Sequence, residues 1–268
     1  MTHPVLASLR VDDPATRRAA CAAAAEDPSA VLLVDALCET LDDDDPSVAR
    51  AASRALASMG AHREAVRTAL ASALRNEQPR CRMYAALAQA RLEPPPIKLL
   101  PPLVEALAHA EGEERWQVTQ ALVELGRLHG EVFPVLRALV ETGEPPRVRR
   151  LALLALRALG PDRPESASAI LDASRSPDLA LRRVALSACA GLVVPPDDIV
   201  ARLAEALATD PDPGSRRCAA AALRALSART RLPDSAREAL ERAASGSDDD
   251  ESVREHASHA LARLEKPA

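Results

Sequence analysis

Residues 145–160 read Pro-Pro-Arg-Val-Arg-Arg-Leu-Ala-Leu-Leu-Ala-Leu-Arg-Ala-Leu-Gly. The stretch opens on a proline pair, and proline is tolerated in the first turn of a helix. It closes on a glycine, the residue best suited to follow a helix. At about 100° per residue, Ala152, Leu156 and Leu159 share one face, three, seven and ten residues after Arg149. Arg150, Leu154 and Arg157 fall on the opposite side. The spacing predicts an amphipathic helix with an apolar face and an arginine-bearing face.

The pattern recurs. Asp45-Pro46-Ser47-Val48 leads to Leu56, Pro213-Gly214-Ser215-Arg216 to Leu223, and Asp250-Glu251-Ser252-Val253-Arg254 to Leu261. Aligned on the arginine, the anchors are Arg17, Ala49, Arg80, Arg115, Arg149, Arg182, Arg216 and Arg254, at intervals of 32, 31, 35, 34, 33, 34 and 38 residues. Seven residues after them stand Ala24, Leu56, Leu87, Leu122, Leu156, Cys189, Leu223 and Leu261. A second amphipathic stretch precedes the turn, as at 32–41, 99–108, 132–140 and 199–208. Each unit therefore reads as helix A, a short Asp/Pro turn and helix B. Asp13, Asp45, Asp178, Asp212 and Asp250 sit at the N-cap of helix B, where a carboxylate accepts from free amides and meets the positive end of the helix dipole. A fixed period of this length is the signature of stacked repeats. The expectation is one all-α solenoid over 1–268, of about eight helix pairs. The first pair lacks a full helix A, and the last follows an enlarged acidic turn at 245–251.

Composition agrees. The chain of 268 residues is 47% hydrophobic but 1% aromatic, with one Trp, one Tyr and one Phe. A core of Ala and Leu suits thin layers of closely approaching helices, and both are strong helix formers. The five cysteines, Cys21, Cys38, Cys81, Cys189 and Cys218, are widely spaced inside helical patterns and read as small reduced apolar residues of a cytoplasmic protein. No run approaches the ~18 apolar residues of a membrane span, and no membrane association is expected.

The motif resembles HEAT repeats, especially the short bacterial type named after phycobilisome lyases. Val148-Arg149 with Ala152, Leu156 and Gly160 is a close match to its Val-Arg, Ala, Leu and Gly positions. The resemblance covers residues 12–264 and implies a right-handed α-α superhelix of the HEAT/armadillo type, a family mostly of scaffolds and adaptors. It also implies that turn aspartates and anchor arginines such as Arg149, Arg182, Arg216 and Arg254 form a structural ladder between neighbouring units. Ala49 interrupts that ladder unless Arg50 substitutes.

By the same resemblance, the exposed side of the B helices lines the concave face. Positions one, five and eight after the anchors form that stripe. It carries Arg18, Arg50, Arg54, Cys81, Trp116, Gln120, Arg150, Leu154, Arg157, Arg183, Ser187, Arg217, Arg224, Glu255 and His259. Eight of these are Arg and one is Glu, so with a net charge of −5 the remainder of the chain is about −12. Guanidinium forks suit carboxylates and phosphates, and an exposed Trp among arginines has hot-spot composition. The expected partner is an acidic segment of another protein. The expected contacts are Arg50, Arg54, Trp116, Gln120, Arg150, Arg157, Arg183, Arg217 and Arg224. Duplex phosphates are the alternative ligand; single strands need more aromatic platforms than one Trp supplies.

Catalysis is not expected, although a role as accessory subunit of an enzyme is a further alternative. Deoxyhypusine hydroxylase, which the repeat resembles, uses His-Glu dipeptides, and this sequence has none. HEAT-like DNA glycosylases use an aromatic-rich groove, and the phycobilin-lyase resemblance by itself implies no pigment chemistry. No Gly-rich phosphate loop or His-Glu-x-x-His occurs. The nearest metal pattern is Glu255-His256-x-x-His259 on one helix. It supplies too few ligands, so no metal or cofactor is expected.

Overall fold

The computed structural model describes residues 3–264. Among them, sixteen α-helices follow one another in eight pairs. The A helices are α1 (Pro4–Ser8), α3 (Val34–Glu39), α5 (Arg63–Ala73), α7 (Leu100–His109), α9 (Val132–Thr142), α11 (Pro164–Ala173), α13 (Asp197–Thr209) and α15 (Asp234–Arg242). The B helices are α2 (Pro14–Glu26), α4 (Pro46–Ser58), α6 (Pro79–Leu92), α8 (Gly112–Leu128), α10 (Pro146–Leu159), α12 (Leu179–Ala188), α14 (Pro213–Leu226) and α16 (Glu251–Leu264). As the sequence implies, the first A helix is a stub. The turn before α16 is enlarged and includes Gly246 at φ 93°, a conformation that favours glycine. No helix among the described residues is long and apolar enough to cross a membrane.

The B helices start where the sequence places them, because proline and aspartate act together. Pro14, Pro46, Pro79, Pro146 and Pro213 open their helices. Asp13, Asp45, Asp178 and Asp212 accept amides of the first turn. Asp250 does the same for Ser252, at 2.9 Å.

Contacts group the chain into two units, Met1–Val132 and Phe133–Ala268. In the first unit, α2, α4, α6 and α8 pack side by side in sequence order, with α3 against α5 behind them and α7 wedged against α6 and α8. In the second unit, α10, α12, α14 and α16 make the B layer, and α11, α13 and α15 make the A layer. This is the α-α superhelix architecture. The core lies between the layers. Ala52, Leu56, Ala152, Leu156, Ala219 and Leu223 from the B helices meet Leu37, Leu70, Leu103, Ile170, Leu203 and Leu240 from the A helices, all buried. Each buried Leu or Ile contributes about 1.5–3 kcal/mol, and alanine at the helix contacts lets the layers approach closely. Leu159, expected in the core, is only half-buried at the end of α10.

One register differs from the sequence alignment. The cap of α6 is Gln78, so the residue four positions on is Arg82, not Arg80. Arg82 Nη1 donates to the carbonyls of Asn76 (2.6 Å) and Glu77 (2.8 Å). Arg17 donates in the same way to Val11 (2.9 Å) and Asp12 (2.8 Å). The Asn-Glu-Gln turn lacks the Asp-Pro pair that fixes the register elsewhere, and the sequence alignment slips by two. With Arg82 restored, the first three intervals become 32, 33 and 33. The core slot then holds Gln89, fully buried, whose Nε2 donates to Glu93 at 3.0 Å. Leu87 remains buried at a neighbouring position, and Cys81 moves from the exposed stripe into the core.

Candidate functional site

Two sets of arginine contacts run along the B helices. The first comes from the anchors. Arg17 grips Asp43 through two bonds of 2.7 and 2.8 Å, and Arg216 grips Asp248 at 2.6 and 3.1 Å. Arg182 lies 3.0 Å from Asp210, and Arg82 donates to Glu105 at 2.9 Å. The aspartates here are not the N-caps. Each stands two residues before the next B helix's cap and accepts that cap residue's amide: Asp45 on Asp43, Asp212 on Asp210, Asp250 on Asp248. The carboxylate thus ties one B helix to the turn that starts the next. This corrects the expected ladder at two places. Arg149 donates to the Val140 carbonyl at 2.9 Å, because the corresponding position of the next turn is Ser176. Arg254 donates to the Asp248 carbonyl of its own turn at 2.6 Å.

The second set uses the stripe residue directly after the anchor. In the second unit it pairs with the next N-cap aspartate. Arg150 lies 3.6 Å from Asp178, Arg183 donates through Nε to Asp212 at 2.8 Å, and Arg217 pairs with Asp250. Arg183 lies flat over the start of α14. A Cβ at Gly214 would come within 2.5 Å of its Nε, so glycine there leaves the space that the guanidinium fills. The bond from Arg183 holds the Asp212 carboxyl far below the ordinary carboxylate range. Arg217 acts likewise, less strongly, on Asp250. These three arginines, expected as free partner contacts, are already matched by carboxylates within the chain. Arg224 donates to His256 Nδ1 at 3.0 Å. Arg157 is exposed and makes no ion pair among the described residues.

The first unit is arranged differently. Arg50 does not find a carboxylate at the next cap, which is Gln78. It reaches past α6 to α8 instead, donating to Glu114 at 2.9 Å and lying 3.5 Å from Glu113. Arg54 donates to Glu113 at 2.8 Å, and Gln117 donates to the same oxygen at 2.7 Å. Glu114 also takes the hydroxyl proton donor of the buried Tyr84, whose oxygen lies 3.1 Å from the Pro46 carbonyl. Burial works against the charged form of Glu114, but the bonds from Tyr84 and Arg50 outweigh it and hold its carboxyl below the usual range. Burial, then Glu114, pushes Tyr84 in the other direction, above the ordinary phenol. The sequence reading names Arg50 and Arg54 but misses Glu113 and Glu114. The signal was an acidic pair in the first turn of α8, where a capping box from Glu111 to Glu114 also forms.

On the same helix, Trp116 is 66% exposed and projects from the fold instead of plugging the core. Gln120, one turn on, is half-exposed. Beside α4, a groove of about 450 Å³ runs along α2, lined by Arg18, Arg50 and Arg54 over a floor of Ala22, Ala25 and Ala51.

The chemistry of the remaining candidates is modest. Burial pushes the thiols of Cys21 and Cys189 up to about 12 and that of Cys81 up to about 11, so none is a ready nucleophile. Glu255, His256 and His259 do not form a ligand group, and no metal-holding cluster occurs among the described residues.

The profile of the family described as HEAT repeats matches residues 34–122 and 100–190. Among solved structures, the chain is similar to a Kap121p mutant (13% identity, TM-score 0.64, covering 97% of this chain and 33% of that one). It is similar also to importin beta in an ammonium sulfate condition (13% identity, TM-score 0.63, 97% of this chain and 40% of that one). An engineered protein is 22% identical over 97% of this chain and 77% of its own, with TM-score 0.48. The chain therefore spans less than half the length of the Kap121p mutant and importin beta chains. No curated protein matches it in sequence.

Proposed function

The chain belongs to the HEAT-repeat proteins, and from that premise we propose that it is a non-catalytic scaffold or adaptor of the cytoplasm that binds an acidic segment of another protein on its B-helix face. The observation that carries this reading is Trp116. It is the one tryptophan of the chain and is 66% exposed, on the same helix as the carboxylates that hold Arg50 and Arg54. An apolar surface of that size held out in water, on the helix whose carboxylates hold two arginines, has the make-up of a binding hot spot. The family resemblance supports a partner protein, and the arginines of the stripe support its acidity. Arg50, Arg54, Trp116 and Gln120 form the contact region in the first unit. Arg157 and Arg224 are the stripe arginines of the second unit that no carboxylate holds among the described residues.

The test is affinity purification from the native host with the intact chain, against a Trp116→Ala, Arg54→Glu double variant. Both side chains are exposed, so the fold survives, which circular dichroism checks. The expected result is a discrete partner that the intact chain retains and the variant loses. A variant that retains everything the intact chain retains sinks the proposal.

A further inference from the structure

The groove between α2 and α4 has three properties that together define its occupant. Its lining is small, with Ala22 and Ala25 from one helix and Ala51, Ala55, Ser47 and Ser58 from the other, and it holds one carboxylate, Glu26, against three arginines. Its walls carry three arginines. Arg18 is exposed and, among the described residues, has only a 3.4 Å contact to the Ser47 hydroxyl. Arg54 is 55% exposed along its side chain and Arg50 27%. Lastly, the space of about 450 Å³ has room for several side chains of a partner segment.

The carboxylate that meets this wall belongs to the chain itself. Glu113 is half-exposed, yet it accepts from Arg54 and Gln117 and lies against Arg50. Its neighbour Glu114 is buried and anchored by Tyr84. Glu114 is therefore part of the framework, while Glu113 sits at the rim, in an ion pair of the exposed kind that contributes little to stability. Such a pair is readily exchanged for another carboxylate.

We infer that the α2–α4 groove receives a carboxylate-bearing segment of a partner protein, and that Glu113 is an internal placeholder which the segment displaces from Arg54 and Arg50. This rests on the proposed reading of the chain as a binder of acidic segments and gives that reading an address in the first unit. The incoming carboxylates replace Glu113 on Arg54 and Arg50 and reach Arg18 on the opposite wall. The displaced Glu113 turns to solvent, where its exposure already places half of it.

The experiment uses the full chain and a dye-labelled peptide of six glutamates, followed by fluorescence anisotropy at low salt. Glu113→Gln removes the competitor and should tighten binding about two- to fivefold, in line with the strength of an exposed ion pair. An Arg18→Glu, Arg54→Glu variant should weaken it at least about tenfold. Arg137→Glu, on the A helix α9 of the second unit, should leave it unchanged. The gain from Glu113→Gln cannot be produced by misfolding, so it separates competition from structural damage. If Glu113→Gln binds no tighter, or the Arg18/Arg54 variant binds as well as the wild type, the inference is overturned. If Arg157→Glu alone abolishes binding, the groove is the wrong address but the acidic-partner reading stands. If the wild-type chain does not bind the peptide, both fall. If a short DNA duplex of equal charge displaces the peptide as well as unlabelled peptide does, the groove reads charge instead of carboxylates, and the inference is again overturned.

Discussion

In the second unit, the arginine after each anchor is matched by the aspartate that caps the next B helix: Arg150 with Asp178, Arg183 with Asp212, Arg217 with Asp250. In the first unit, the same positions hold Arg18, Arg50 and Met83, and the following caps are Asp45, Gln78 and Glu111. Arg18 rests on a serine hydroxyl and Arg50 crosses to α8. The difference shows that an arginine at a given register position is not of itself a binding residue. Its role depends on what the next repeat places opposite it. In the second unit an Asp cap holds the guanidinium. In the first, Arg18 lies opposite an Asp cap, Asp45, yet meets Ser47 instead, and Arg50, opposite Gln78, is recruited by a more distant carboxylate. The anchor ladder, by contrast, is common to both units, with Arg17–Asp43 in one and Arg216–Asp248 in the other.

Acid should damage both units through that common ladder and, in the second unit, through the cap pairs as well, and this is the largest expected effect. Bonds from Arg216, Arg183, Arg217 and Arg82 hold the carboxyls of Asp248, Asp212, Asp250 and Glu105 below their ordinary values. Asp43 is lowered as well, because Arg17 outweighs its burial. A carboxyl depressed in the folded state stabilises above its unfolded pKa, about 3.9 for Asp, and that stability is lost as pH falls towards the folded value. The thermal midpoint should therefore fall steadily below about pH 4. A midpoint unchanged down to about pH 2.5 would show that the ladder contributes nothing.

Single breaks in the two units should be comparable but local. Asp248→Ala leaves Arg216, 17% exposed, without its carboxylate and should cost about 1–3 kcal/mol in denaturant unfolding. Glu114→Ala removes the shared acceptor of Arg50 and Tyr84 and should cost about the same. Hydrogen exchange then separates them. The first should loosen α14 and α16, the second α4 and α8. A uniform loss of protection would contradict the local assignment.

The repeat was legible in the sequence because Asp, Pro, Arg and Leu recur in phase, and the eight pairs, the stub at α1 and the wide turn before α16 follow from that phase. The register of α6 was not legible, because its turn carries Asn76-Glu77-Gln78 in place of the Asp-Pro signal. The site was half legible. Periodicity puts Arg50, Arg54, Arg150, Arg183 and Arg217 on one face, but periodicity along one helix says nothing about the residue that the next helix places opposite. The pairing of Arg50 with Glu114 spans 64 residues and skips a repeat, so no local spacing encodes it. Trp116 was legible only as being on the stripe; its exposure is a property of the packed layers.

If the cap decides the role of Arg50, supplying the missing cap should convert one unit towards the other. Gln78 makes no side-chain cap at α6. Gln78→Asp should stabilise the chain by about 0.5–1 kcal/mol through capping and offer Arg50 a partner in the adjacent repeat. A double-mutant cycle between Arg50 and Glu114 reads the second effect. Their coupling should fall in the Gln78→Asp background, and an unchanged coupling would mean that Arg50 is fixed by the Tyr84–Glu114 network regardless of the cap.

The opposite conversion perturbs stability least. Gly214→Ala places a methyl group 2.5 Å from Arg183 Nε and 2.6 Å from its Cζ. The long side chain can swing away, whereas the α14 backbone cannot. Asp212 keeps its bonds from the Ser215 amide and hydroxyl, at 2.7 and 2.8 Å, so the helix remains capped. Replacing glycine by alanine inside a helix favours the helix by up to about 1 kcal/mol, which offsets the lost contact, and the thermal midpoint should barely move. What changes is the surface: a guanidinium held against a carboxylate becomes one facing water, as Arg18 does in the first unit. Arginine Nε–H exchange measured by NMR should quicken for Arg183 and not for Arg217, whose own partner Asp250 is untouched. If Arg183 stays as protected as in the parent chain, the glycine is not what lets Arg183 close on Asp212.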